Sequence, residues 1–150
     1  MNIIKRIGIK KFVREIDKDI KVKFQKFDME CDVYEDIIYI GETYDKRTDE
    51  YFMNFVKKIR PECNVPVFLL SLLHEIGHIM TYDEDEMDNK DMIYGLLKMQ
   101  FDESKQDDAA LQKYDEMYFN IPLERNATEW GIDFAMNNPE LIKKYMWLCK

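Results

Sequence analysis

From Val67 to Met80 the chain reads VFLLSLLHEIGHIM, and this run constrains the fold more than any other. Its residues are apolar on nearly every face of a helix. A helix of that kind runs through the middle of a protein, not along its surface. Asn64 and Pro66 stand just before it, as an expected cap and an expected first-turn residue. Between Val65 and Met80 the only strongly polar side chains are His74, Glu75 and His78. Burying charged or polar groups is costly unless something satisfies them. The trio therefore needs a partner.

The spacing names the partner's chemistry. His74, Glu75 and His78 form H-E-x-x-H, and positions i and i+4 share one helical face about 6 Å apart along the axis. Two imidazoles so placed converge on one tetrahedral Zn²⁺. Glu75, one residue on from His74, is offset from the ligand row. It is positioned as the base that takes a proton from a metal-activated water. The chain has two histidines, and both lie in this motif. A third ligand must be a carboxylate or a Cys. The acids of 83–91 fall in a loop-like acidic run (Tyr82–Asp91), which lacks the glycine and terminal glutamate spacing of a calcium loop. Glu124, in the first turn of an expected helix beside Leu123, Ala127 and Trp130, is better placed. Glu129 on the same helix is its competitor.

The segment LERNATEWGIDFA at 123–135 resembles the E-x-x-A-N-x-F-A signature that follows H-E-x-x-H in ImmA/IrrE-type metallopeptidases. These are phage- and mobile-element-associated members of the gluzincin group. The resemblance covers residues 67–135 and places Glu124 at the ligand position, Ala127 and Gly131 at the small positions and Trp130 at the aromatic one. It implies that His74, His78 and Glu124 hold zinc, with Glu75 as general base, and that the fold is zincin-like. Three departures stand out. Thr128 replaces the usual Asn or Asp that steadies a ligand histidine, the gap from His78 to Glu124 is long, and no helix-turn-helix is attached. No residue is singled out as oxyanion donor: Tyr82, Tyr114, Tyr118 and Arg125 are the candidates.

The remaining sequence supports one α+β domain over residues 1–150, mostly helical, with a small twisted sheet packed on the His helix. Helices are expected over 3–16 (Ile4, Ile7, Phe12, Val13 and Ile16 inward), 49–59 (capped by Thr48), 91–103, 107–118, 122–137 and 139–147. Strands are expected over 20–27 and 33–40, the second ending at Gly41. The net charge of -8 disfavours a general nucleic-acid partner. Residues 1–26 alone carry +6, a basic face opposite an acidic remainder of -14. A contact from this face to DNA or to an acidic protein is the alternative reading. Cys31, Cys63 and Cys149 are odd in number and widely spaced, which fits free thiols in a reducing compartment. Neither a secretory h-region nor a membrane span is legible, so the expected location is the cytoplasm. The expected function is hydrolysis of a peptide bond in a protein or peptide substrate by zinc-activated water. The alternatives are a zinc module that regulates a partner without cleaving it, and a metal-free helical interaction protein.

Overall fold

The computed structural model describes residues 1–43, 46–84, 93–99 and 108–150. It is mostly helical around a small mixed sheet, an α+β architecture. Helix α1 (Ile3–Ile16) begins where the Asn2 side chain accepts the Lys5 N–H at 2.8 Å. Its buried residues are Gly8, Ile9, Phe12 and Val13, whereas Ile4 and Ile7, expected inward, are 67% and 49% exposed. The stripe at i, i+3, i+4 starts from Ile9, so Phe12, Val13 and Ile16 meet the core as expected and the first turn does not.

Strand β1 (Lys21–Phe27) is followed by Asp28 in the left-handed region and then by β2 (Met29–Asp32), which the sequence did not announce. Strand β3 (Ile37–Thr43) starts later than expected because residues 33–36 form a turn. There the Asp32 side chain accepts the N–H groups of Tyr34 and Glu35, and Asp36 is left-handed. The sheet order is β1-β3-β2, with β1 parallel and β2 antiparallel to β3. The β1–β2 connection crosses directly over β3 at Gly41, where an added Cβ would stand 2.3 Å from the Asp28 carbonyl oxygen. That explains why Gly41 lies within β3 and does not end it.

Helix α2 (Lys46–Ile59) buries Phe52, Phe55 and Val56, part of its expected stripe, but Thr48 lies inside its first turn and is not its cap. Helix α3 (Val67–Met80) occupies its expected span and is the centre of the core through Leu69, Leu70, Leu72, Leu73 and Ile76. Pro66 is its N-cap residue. Asn64 does not cap it, because its side chain accepts from Lys57 Nζ at 3.0 Å instead. Residues 93–99 form helix α4, and the remainder of the 91–103 expectation, like most of the acidic run, lies outside the described residues. Helices α5 (Asp108–Phe119), α6 (Pro122–Asn137) and α7 (Pro139–Tyr145) follow, with a 3₁₀ turn over Met146–Cys149.

The closest packing is between α3 and α6. A Cβ at Gly77 would lie 2.3 Å from the Ala127 carbonyl oxygen, and one at Gly131 would meet Leu73 at 3.1–3.2 Å. Two helix backbones touching at small residues bring the side chains one turn away within ligand distance. In Gly77→Ala the gain in helix propensity, about 1 kcal/mol, is set against a backbone clash that no rotamer relieves. Overpacking of this kind costs about 1–3 kcal/mol or more. The variant is expected to melt several degrees below wild type and to bind metal more weakly. A variant more stable than wild type in thermal denaturation would contradict the close approach.

Candidate metal centre

Three side chains from two helices meet at the α3–α6 contact. His74 and His78 project from α3 and Glu124 from the first turn of α6; they are 7%, 7% and 2% exposed. His74 Nε2 lies 3.2 Å from His78 Nε2 and 3.1 Å from Glu124 Oε2. The third edge, His78 Nε2 to Glu124 Oε2, is 3.4 Å. Ligands about 2.0–2.1 Å from a tetrahedral zinc are about 3.3–3.4 Å from one another. The triangle therefore has the dimensions of one face of such a site. Among the described residues this is the cluster of His, Cys, Asp and Glu able to surround an ion.

The tautomer follows from the neighbours. The Thr128 hydroxyl donates its single proton to the Glu124 carbonyl at 2.8 Å. It can then only accept from His74 Nδ1–H, 3.0 Å away. With Nδ1 protonated, neutral His74 turns the lone pair of Nε2 towards His78 and Glu124. Thr128, itself 1% exposed, thus orients His74 without supplying a charge. Glu124 Oε2 is buried with no hydrogen-bond donor directed at it. A lone pair on His74 Nε2, a Glu124 oxygen that no donor satisfies and the adjacent His78 Nε2 form a desolvated triangle that a cation would satisfy.

In the metal-free protein the same closeness favours protons on the imidazoles. Burial pushes the Glu124 carboxyl up, but His74 and His78 outweigh it and hold the group well below the usual carboxylate range. Burial opposes a charge on His74, yet Glu124 keeps its pKa raised. Glu75 is half-buried, and its carboxyl is pushed up to about 7 by desolvation. The negative charge of Glu124 adds to that rise, while His74 and a hydrogen bond with Cys31 oppose it. A carboxylate near neutral pKa is tuned for exchanging protons at physiological pH.

The centre opens into a cleft of about 630 Å³. Its walls include β2 on one side and Tyr94, Tyr114 and Tyr118 on the other, with Glu75 and Glu124 at the base. A separate cavity of about 610 Å³ between α2, α5 and α6 contains none of the cluster.

The structure brings His74, His78 and Glu124 together, with Glu75 lining the same cleft. It does not bring Glu129 there, because that side chain accepts from Arg125 Nε at 2.9 Å and faces the separate cavity. Arg125 is occupied by the same pair, and exposed Tyr82 packs against Tyr34. Of the expected oxyanion donors, Tyr114 and Tyr118 reach the cleft. The residue missed by sequence reasoning is Tyr94, whose hydroxyl donates to Glu124 Oε1. Nothing in the helical pattern around it marks that role. Comparison of the chain with family models, curated proteins and solved structures finds no match in any of the three.

Proposed function

We propose that the chain is a zincin-like zinc peptidase of the H-E-x-x-H…E type, related to the ImmA/IrrE group. The observation that carries this reading is the triangle of two imidazole nitrogens and one carboxylate oxygen, with Oε2 buried and lacking a donor. A proton bridges one edge of such a triangle. A divalent ion satisfies all three corners. Two imidazoles and one carboxylate are the borderline-hard donor set that suits zinc and leaves a fourth position for water or substrate.

Held by His74, His78 and Glu124, zinc would lower the pKa of a water to about 7 and polarise a carbonyl. Glu75 then does the proton work. It would accept a proton from the attacking water and return it to the nitrogen as the C–N bond breaks. Strand β2 supports a peptide as substrate. It lies at the sheet edge, pairs with β3, and lines the cleft through Met29–Asp32. An extended chain laid along such an edge gains main-chain hydrogen bonds at no cost in side-chain specificity. Among the described residues no helix is long and apolar enough to cross a membrane.

Protein purified without added metal, then titrated with Zn²⁺, is expected to bind one equivalent, and His78→Ala to bind none at comparable concentration. A wild-type stoichiometry near zero by elemental analysis, unmoved by added zinc, would remove this reading and favour a metal-free interaction protein.

A further inference from the structure

We propose that Tyr94 is the positioning residue for the third ligand, so that a helix contributing no ligand of its own sets how tightly the metal is held. The inference rests on the metal centre described above and adds to it a dependence on α4.

Glu124 presents two oxygens with different tasks. Oε2 faces the imidazoles at 3.1 and 3.4 Å, while Oε1 accepts from the Tyr94 hydroxyl. A glutamate reaches its ligand position through three rotatable bonds, and an unpinned carboxylate can swing or chelate through both oxygens. A hydroxyl on Oε1 removes that freedom and leaves one oxygen for the ion. Tyr118 reinforces the arrangement: its ring stacks on Tyr94 with centroids 5.7 Å apart. Such outer partners tune metal affinity by about 10- to 100-fold.

Tyr94 is carried by α4, which is seated through Leu97. Leu97 packs with Ile121 and Leu123 in a cluster distinct from the main core, joined by Ile93, Tyr94, Tyr114 and Tyr118. Ile121 and Leu123 flank the start of α6, the turn that carries Glu124. Seating α4 therefore places the Tyr94 hydroxyl on Glu124. By linkage, whatever unseats α4 weakens the metal, and the metal in turn holds α4 down.

Zinc affinity measured by competition with a chromophoric chelator tests this on the full chain with three variants. Tyr94→Phe is expected to lose about 10- to 100-fold in affinity and to alter the visible spectrum of the cobalt-loaded protein, which a purely structural loss would not do. Leu97→Ala, which touches no ligand, is expected to weaken zinc as well. The double variant is expected to be little worse than Tyr94→Phe alone, since both act through one contact. If wild type binds zinc and Tyr94→Phe binds it equally well with an unchanged cobalt spectrum, the role of Tyr94 is overturned. Wild-type affinity in Leu97→Ala overturns the dependence on α4, as does full additivity in the double variant. If wild type itself binds no zinc, the failure lies with the metal centre.

Discussion

Glu75→Gln is expected to keep its zinc and lose its peptide hydrolysis. Glutamine has nearly the same shape but cannot accept a proton. General acid–base catalysis is worth about 10²–10⁴-fold in rate, and here one side chain serves both halves of the transfer. The metal should stay because Glu75 is not a corner of the ligand triangle, which His74, His78 and Glu124 complete without it. The measurement is paired: zinc stoichiometry and cleavage of a peptide substrate in the same preparation. Undiminished cleavage would exclude Glu75 as the base. A biological effect that survives the substitution would instead assign the chain to regulation by binding. The substitution also has a pH signature in metal-free protein. The folded pKa of Glu75 is raised from 4.5 to about 7. Its contribution is therefore most favourable below the unfolded pKa and is lost as pH rises towards 7. Glu75→Gln should flatten that part of the stability profile, and an identical pH slope in both proteins would count against the burial of its charge.

Removing the metal is expected to lower the thermal midpoint by about 8–16 °C. A ligand present at a thousand times its dissociation constant stabilises the folded state by about 4 kcal/mol, and each kcal/mol moves the midpoint of a chain this long by about 2–4 °C. The physical source is the triangle itself. Without an ion, two imidazole nitrogens and a carboxylate oxygen lie buried 3.1–3.4 Å apart and are held together only through protons on the imidazoles. With one, they become ligands that tie α3 to α6. Melting with zinc and with a chelator checks this, and His78→Ala should melt at one temperature under both conditions. A midpoint in wild type indifferent to chelator would show that no ion contributes to the fold.

Much of this was legible in one dimension because it is local. The span of α3 followed from an apolar run with no break, and that of α6 from Pro122 and the pattern behind it. The pairing of His74 with His78 is a property of the helical repeat alone. Other features escaped for identifiable reasons. Strand β2 is four residues long and owes its existence to pairing with β3, so no periodicity announces it. On α1, Phe12, Val13 and Ile16 face the core as expected, but Ile4 and Ile7 are apolar yet exposed, because hydrophobicity by itself does not say which side is covered.

The site divides along the same line. The sequence alone determined that two imidazoles and a general-base candidate share a buried helix, since residue type and spacing at 3.6 residues per turn dictate it. It could rank Glu124 above Glu129 but not separate them, as both lie on one helix and either is chemically competent. What the tertiary structure adds is placement: the α3–α6 contact at Gly77 and Ala127 sets Glu124 beside both imidazoles, while Glu129 pairs with Arg125 elsewhere. The hydroxyls of Thr128 and Tyr94 likewise gain their roles only when distant segments meet. Spacing along a helix is written in the chain, whereas which helix faces which depends on how the whole core packs.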